Sequence, residues 1–143
     1  MILLDAYALV AYLLDEPAAP EVETMLRGGD AAITPIQAAE TIDVSQRVHG
    51  LPAGRMRVTL EPLLGEIVQI REQGLEDAWR AAEIRASHYD ARTCALSLAD
   101  CFLVAAAGPG DSIATADRAV ATTARAEQLQ VIALRASSGR LPE

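Results

Sequence analysis

Short apolar runs alternate with stretches of helical periodicity along the whole chain. The runs predict strands, because they are brief, aliphatic and bounded by polar or turn-forming residues. The stretches between them repeat apolar residues every three to four positions, which is typical of helices that pack on a sheet. The predicted strands are residues 2–4, 31–34, 66–70, 111–115 and 131–134. The predicted helices are residues 6–14, 17–26, a helix opening at Thr34 and broken at Gly50, 75–88, 97–107 and 118–128.

This alternation predicts an α/β fold with a parallel sheet covered by helices on both faces. A chain of 143 residues is the usual size of a single domain. We expect one domain that spans residues 1–143, with residues 136–143 as a loosely held polar tail. In the helix at 75–88 the predicted apolar positions include Trp79, Ala82 and Ile84. Ligand sites in such folds form beyond the carboxyl ends of the strands.

Two acidic residues come directly after predicted strands. Asp5 follows the first strand, and Asp117 comes two residues after the end of the fourth, where Thr115 stands. The carboxyl ends of parallel strands meet at one edge of the sheet, so we expect these side chains to lie near one another. Each aspartate also has a structural explanation, since aspartate is a favoured N-cap of a following helix.

Two further acids lie about one turn inside predicted helices that begin near the same edge. Glu40 falls on the apolar side of its helix, between Ile36 and Val44. Asp100 is the only charged residue of the stretch 97–107. The structural alternatives are a Glu40 that snorkels at a helix edge and an Asp100 that completes an S-x-x-[DE] capping box. The segment Thr34-Pro35-Ile36-Gln37 predicts a T-x-x-Q capping box.

Four carboxylates at one edge point to a cation. Two carboxylates 4 Å apart repel by about 4 kcal/mol at an effective dielectric of 20. Helix capping does not require four acids in one place. A hard divalent ion with oxygen ligands does, and carboxylates with water suit Mg²⁺ or Mn²⁺.

Composition narrows the functional classes. The net charge of −8 argues against a large non-specific nucleic-acid surface, and the chain contains no lysine. Without a Cys-x-x-Cys or His-Cys cluster, a zinc site is not expected, and His49 and His88 are interpreted as surface or capping residues. No apolar run is long enough to span a membrane, and no basic leader precedes the first one, so we expect a cytoplasmic protein.

Four short motifs occur in a fixed order: Leu4-Asp5, Ala39-Glu40, Leu98-Ala99-Asp100 and Thr115-Ala116-Asp117-Arg118. Their order, spacing and setting resemble the PIN-domain ribonucleases, most closely the VapC-type toxins of toxin–antitoxin pairs. The resemblance implies a five-stranded parallel sheet in the order 3-2-1-4-5, an acidic pocket with Mg²⁺ or Mn²⁺, and endonucleolytic cleavage of RNA. It also implies a homodimer and a small antitoxin protein as partner.

The same resemblance implies the roles of the site residues. Asp5, Glu40, Asp100 and Asp117 are the catalytic acids, with Asp5, Asp100 and Asp117 as metal ligands. Thr115 is a polar auxiliary. The aromatic residue that usually follows the last motif is absent, and Val120 stands there instead. Asp43 and Asp90 match no motif position and stay as outside candidates.

Two other classes of acidic α/β protein match this sequence less well than the PIN domains do. A receiver domain requires a lysine in its site, and a haloacid-dehalogenase phosphatase requires D-x-D where this chain has Asp5-Ala6-Tyr7. No glycine-rich phosphate loop is present. The open alternative is a catalytically inactive PIN-like module that binds a metal or a protein partner.

Overall fold

The computed structural model describes residues 1–142 of the chain. Its centre is a five-stranded sheet in the order β3-β2-β1-β4-β5, and all neighbouring strands are parallel. The predicted α/β fold and the implied strand order 3-2-1-4-5 are therefore confirmed. The strands are β1 Ile2–Leu4, β2 Ala31–Ile33, β3 Gln69–Ile70, β4 Ser112–Thr115 and β5 Gln130–Ala133.

Seven α-helices connect and cover these strands within the described residues. A π-helical turn at Val44–Val48 continues the third helix, a feature that the sequence did not predict. No helix within residues 1–142 is both long and apolar enough to cross a membrane. The helices are α1 Ala6–Leu13, α2 Ala19–Gly28, α3 Pro35–Asp43, α4 Ala53–Leu60, α5 Leu75–His88, α6 Leu98–Ala106 and α7 Arg118–Ala126.

Alternation along the strands divides the core into two halves. In β1, Leu3 faces the layer that contains α5, α6 and α7, whereas Leu4 faces the layer that contains α1, α2 and α4. In β4, Ile113 and Ala114 divide in the same way. All four side chains are fully buried. Successive strand residues point to opposite faces, so a continuous apolar run is buried on both sides, as in three-layer α/β proteins.

Two predicted elements differ from the structure. The third strand was predicted at residues 66–70, but only Gln69–Ile70 pairs with β2. Residues before it turn back on themselves, because Gly65 has a positive φ of 90° and its N–H donates to the Val68 carbonyl. The apolar face predicted for α5 was partly wrong as well. Ala81 and Ile84 pack in the core, while the side chain of Trp79 is 63% exposed.

Side chains near the start of the chain contact the segment after β5. The Tyr7 hydroxyl lies 2.9 Å from the backbone carbonyl of Arg135, and the Ser137 hydroxyl donates to Glu16. Pro142 is buried. These contacts connect Arg135 to Tyr7 in α1 and Ser137 to Glu16, which follows α1. Glu143, the last residue of the predicted tail, lies outside the described residues.

Candidate functional site

The four acids predicted from the sequence line one cleft beyond the carboxyl ends of β1 and β4. The cleft has a volume of about 230 Å³. It is formed where the residues after these strands meet the middle of α3, the π turn that follows it and the first turn of α6. The residues that line it are Asp5, Ala6, Tyr7, Val10, Glu16, Glu40, Val44, His49, Asp100, Asp117 and Ser137.

Asp5 is the most buried of these acids, with 6% of its surface exposed. Burial raises the pKa of Asp5 from its ordinary 3.8 to about 7, because water no longer stabilises the charged form. A hydrogen bond from Thr115 lowers this pKa, and the charges of Asp100, Glu40 and Asp117 raise it further. Asp5 is therefore a carboxylate whose ionisation is costly without a compensating cation.

Thr115 connects two of the acids. Its hydroxyl donates to Asp5 Oδ2 at 2.5 Å and accepts a hydrogen bond from the backbone N–H of Asp117 at 2.9 Å. Thr115 is fully buried, so both bonds are shielded from water. The structure thus places the predicted auxiliary residue between the loops that carry Asp5 and Asp117.

The capping explanation holds for two of the acids. Ser97 and Asp100 form a reciprocal capping box, with a 2.7 Å bond from Ser97 N to Asp100 Oδ2 and a 3.0 Å bond from Asp100 N to Ser97 Oγ. Asp117 Oδ1 accepts from the backbone N–H groups of Ala119 and Val120, at 2.6 and 3.0 Å. In each case one carboxylate oxygen caps the helix, which leaves the second for another partner. Capping and a role in the cleft are therefore compatible.

The ionisation of Asp100 is also disfavoured. Its pKa is raised by burial, although the hydrogen bonds from Ser97 partly offset this effect, and the charge of Asp117 adds to the rise. The Arg85 guanidinium lowers the pKa of Asp100. Asp5 differs from Asp100 and Asp117 because its side chain caps no helix.

Glu40 carries an oxygen without a partner. Its Oε2 is buried and has no hydrogen bond within the described part of the chain. Burial raises the pKa of Glu40, and the charges of Asp100 and Asp43 raise it further. A buried carboxylate oxygen that lacks a donor costs free energy, so it calls for a proton, a water molecule or a cation.

The two outside candidates lie away from the cleft. Asp43 is exposed and pairs with Arg47, which holds the pKa of Asp43 below its ordinary value. Asp90 accepts hydrogen bonds from the backbone N–H groups of Arg92 and Thr93, and these bonds lower its pKa. Neither carboxylate lines the cleft.

Sequence reasoning missed several residues of the site. His49, interpreted as a surface or capping histidine, is exposed and lines the cleft. Tyr7 and Glu16 line it too, joined by a 2.9 Å hydrogen bond between the Tyr7 hydroxyl and Glu16 Oε2. No local pattern marks these residues. The other histidine, His88, is a partly buried partner of Glu127, with Nε2 and Oε1 2.7 Å apart.

Gln37 is the missed residue with a recognisable signal. The T-x-x-Q motif predicts a side chain that returns to the backbone of Thr34. In the structure Thr34 Oγ1 accepts from the Gln37 N–H at 3.2 Å, as predicted, but the Gln37 side chain turns away. Its Oε1 accepts from the backbone N–H of Ala6 at 3.0 Å. Gln37 thus satisfies the first backbone N–H of α1, the helix for which Asp5 is the N-cap residue without a side-chain cap bond.

The donor chemistry of the cleft suits a hard divalent cation. Its lining contains five carboxylates and no arginine within residues 1–142. Oxygen donors and uncompensated negative charge are the conditions under which Mg²⁺ or Mn²⁺ binds. In the same range, no three Asp, Glu, His or Cys side chains converge on a single coordination point. Asp100 and Asp117 each direct one oxygen to a helix start, and Asp5 directs one to Thr115.

Comparison with known proteins identifies the family. The PIN domain family matches residues 2–134. Among solved structures, FitAcB from Neisseria gonorrhoeae is similar, with 23% identity, a TM-score of 0.60, and coverage of 92% of this chain and 96% of that one. A structure of FitAB bound to an IR36 DNA fragment is similar at 22% identity and a TM-score of 0.63, covering 92% and 94% of the two chains.

A toxin–antitoxin complex from Klebsiella pneumoniae is similar at 19% identity and a TM-score of 0.52, covering 97% of this chain and 89% of that one. At these identities the solved structures show a shared fold. Comparison with curated protein sequences finds no significant match. The family match extends over nearly all of the chain and includes every strand of the sheet. The chain belongs to the PIN domain family.

Proposed function

We propose that this PIN domain is a metal-dependent endoribonuclease and the toxin of a toxin–antitoxin pair. The observation that carries the proposal is the cleft itself. Asp5, Glu40, Asp100 and Asp117 line it together, and Glu40 Oε2 is buried without a hydrogen-bond partner in the described chain. An acidic site of this kind is unfavourable until a cation occupies it.

Asp5, Asp100 and Asp117 are the residues that would hold Mg²⁺ or Mn²⁺. Each engages one carboxylate oxygen with a protein donor, so the other oxygen serves the ion. When bound there, such an ion would neutralise charge on the phosphate group and would lower the pKa of a water molecule. Thr115 holds the Asp5 carboxylate in one orientation, because its hydroxyl proton is committed to Asp5 Oδ2.

Glu40 is suited to move a proton. Its pKa is raised by burial and by neighbouring acids, so it binds a proton more readily than an exposed glutamate does. Its unpartnered Oε2 is the atom that would accept the proton of the attacking water. In this scheme Glu40 acts as the general base, and the three aspartates bind the ion.

RNA is the proposed substrate because of the family resemblance. A polyanion approaches so acidic a cleft only when cations neutralise it, which makes metal dependence a strict requirement. The test is incubation of the purified protein with structured RNA in Mg²⁺, Mn²⁺ or EDTA. We expect cleavage with either ion, none in EDTA, and none from Asp117→Asn. Asp90→Asn is the matched control, because Asp90 lies outside the cleft. Cleavage that continues in EDTA would contradict the proposal.

The toxin role rests on two supports. Solved structures of similar fold include a toxin–antitoxin complex. Between the π turn and α4, an apolar groove of about 470 Å³ is lined by Ile42, Met56, Leu60 and Leu64. Such a groove suits an apolar segment of a small protein. We place the pair in the cytoplasm.

The antitoxin would also bring cations to the cleft. An arginine or lysine inserted toward Asp5 and Glu40 compensates their charge as a metal ion does, so antitoxin and metal should compete. The test is co-expression with the small open reading frame next to the gene, followed by affinity purification and Mn²⁺ titration. Failure of that protein to co-purify would contradict the partner assignment and leave the nuclease assignment to its own test.

A homodimer is part of the proposal. Leu75 and Trp79 lie one turn apart on α5, with 73% and 63% of their surfaces exposed. Ala82 and Ala86 continue this exposed stripe along the helix. Large apolar side chains on an exposed helix face favour association, and the small residues that follow permit close approach.

The second candidate is a PIN-like module that binds a metal or a partner without catalysis. The observation that favours it is the lack, within residues 1–142, of three metal-binding side chains around one point. This module would bind its protein partner, would show at most a small Mg²⁺-dependent rise in melting temperature, and would cleave no RNA under any condition.

A further inference from the structure

One completely buried side chain joins three elements of the site. Gln37 lies in the first turn of α3 and is 0% exposed. Its Oε1 accepts from the backbone N–H of Ala6 in α1, and its Nε2 donates to the backbone carbonyl of Ala99 in α6, both at 3.0 Å. These partners fix the orientation of the amide, because a flipped amide would place like groups together at both ends.

The backbone atoms that Gln37 binds adjoin acids of the cleft. Ala6 follows Asp5, Ala99 precedes Asp100, and Glu40 lies one turn along the same helix as Gln37. We propose that Gln37 is the positioning residue of this site, holding the backbone segments of Asp5 and Asp100 together so that both carboxylates face the cleft in which a divalent cation binds, with Glu40 beside them. This inference rests on the proposed function.

Capping alone does not account for the side chain. The free N–H at the start of α1 is satisfied by Oε1, whereas the bond from Nε2 to Ala99 reaches across 62 residues and caps nothing at the start of α1. The Gln37 side chain also does not form the hydrogen bond to the Thr34 backbone N–H that the capping-box motif predicts. Bonds to distant elements have replaced a local one, and hydrogen bonds behind metal ligands orient those ligands.

A neutral amide is suited to this task. Asp100 and Glu40 repel Asp5, and this repulsion pushes the three segments apart. An amide restrains them without adding charge, and it is both donor and acceptor, which neither a carboxylate nor a guanidinium can be. Thr41 strengthens the same connection, since its hydroxyl lies 3.3 Å from the Ala6 carbonyl and 2.9 Å from the Gln37 carbonyl.

The test is Mn²⁺ affinity measured by calorimetry on the full chain, with thermal unfolding of the same samples. Gln37→Met keeps the shape of the side chain and removes both hydrogen bonds. We expect it to weaken Mn²⁺ binding at least tenfold, the usual effect of losing a residue that orients metal ligands. Thr123→Val is the matched control, because Thr123 is as buried as Gln37 but lies in α7, outside the cleft. We expect its Mn²⁺ affinity to stay within twofold of wild type.

Gln37→Asn is the second variant. It keeps a polar amide but is one methylene shorter, so it reaches at most one of Ala6 and Ala99 and should also lose at least tenfold in affinity. If both variants unfold, or if they bind Mn²⁺ within twofold of wild type, Gln37 serves the fold alone and the inference is overturned. Asp5→Asn distinguishes a failure of the inference about Gln37 from a failure of the proposed metal site. Loss of binding only in Asp5→Asn refutes the role of Gln37, whereas a wild-type protein that binds no Mn²⁺ refutes the metal site as well.

Discussion

The hydroxyl group of Thr115 donates a 2.5 Å hydrogen bond to Asp5 Oδ2 across 110 positions of the chain. The two residues stand at the ends of neighbouring parallel strands, with Leu4 of β1 in register with Ala114 of β4. The bond is fully buried, and it favours the ionised form of a carboxylate that its surroundings otherwise keep protonated. The ionisation state of Asp5 therefore depends on Thr115.

Thr115→Val should raise the pKa of Asp5 above about 7, because the hydrogen bond that lowers it is lost. A hydrogen bond to a charged group contributes about 2 kcal/mol, so the stability loss should be larger at pH 8, where Asp5 is ionised, than at pH 5. Carboxyl carbon NMR titration measures the pKa. Thr123→Val is the control, being equally buried but remote from Asp5. An unchanged Asp5 pKa in Thr115→Val would show that the bond has no electrostatic role.

Stability without divalent ions should fall as pH rises. Folding raises the pKa of Asp5 from 3.8 to about 7, so between these values the folded state binds more protons than the unfolded state. The contribution of Asp5 is complete below about pH 4 and is lost by the time the pH has passed about 7. Between pH 5 and pH 8 the loss is roughly 3 kcal/mol. The raised pKa values of Glu40 and Asp100 act in the same direction.

Urea unfolding in EDTA at pH 5 and pH 8 measures this effect. Asp5→Asn should abolish most of the difference and exceed wild-type stability at pH 8, because it removes the buried charge. Mg²⁺ should restore the stability of the wild-type protein at pH 8. If the wild-type protein is equally stable at both pH values in EDTA, ionisation of the buried Asp5 does not cost the folded state free energy.

Asp100→Asn and Asp117→Asn separate capping from cation binding. Asparagine at the N-cap position of Asp117 caps about as well as aspartate, and at Asp100 its amide oxygen still accepts from the Ser97 N–H, so both variants should be at least as stable as wild type in EDTA. Both should lose most of the rise in melting temperature that Mg²⁺ causes. In the wild type, an ion at a hundred times its Kd stabilises by about 2.7 kcal/mol. Differential scanning fluorimetry with and without Mg²⁺ measures the shift.

Two variants control this experiment. Asp43→Asn removes an exposed carboxylate outside the cleft and should keep the Mg²⁺ shift. Asp117→Ala removes cap and charge together, so in EDTA it should be about 1 kcal/mol less stable than Asp117→Asn. If the asparagine variants keep the full Mg²⁺ shift, these two aspartates are caps only.

Glu40→Gln should distinguish metal binding from catalysis. It removes the charge of Glu40, which has a buried Oε2 without a partner, at almost constant shape. We expect higher stability in EDTA, most of the Mg²⁺ shift retained, and RNA cleavage reduced at least a hundredfold, the usual contribution of a general base. Cleavage assays and thermal shifts on one preparation give both quantities. Near-wild-type cleavage would exclude Glu40 as the base.

Trp79→Glu should convert a dimer into a monomer. The tryptophan is 63% exposed in the middle of the α5 stripe, and a charge there is unfavourable only when another surface covers it. Sedimentation velocity measures the oligomeric state, and Val58→Glu on α4 is the control, since Val58 is also exposed but lies on another helix. A monomeric wild-type protein would contradict the homodimer.

Most of the acidic cleft was predictable because it follows from topology. Asp5 and Asp117 come directly after strands that proved to be parallel neighbours, so their proximity was implied once the strand order was known. Glu40 stood out as a charge on an apolar helix face. The T-x-x-Q motif marked Gln37 only as a capping residue, and no local pattern marked Tyr7 and Glu16, because the contacts of these three side chains are with residues distant in sequence.

The amino-acid sequence by itself determined the alternation of strands and helices, the two buried faces of the sheet and the order of the four acids, because periodicity and turn signals are local properties. Only the tertiary structure determined which hydrogen bonds each of the four acids makes and how deeply it is buried. Asp100 and Asp117 cap helices, Asp5 is buried against Thr115, and Glu40 keeps an oxygen without a partner in the described chain. The reason is physical: burial, repulsion and long-range hydrogen bonds depend on distances through space, which only the packed chain sets.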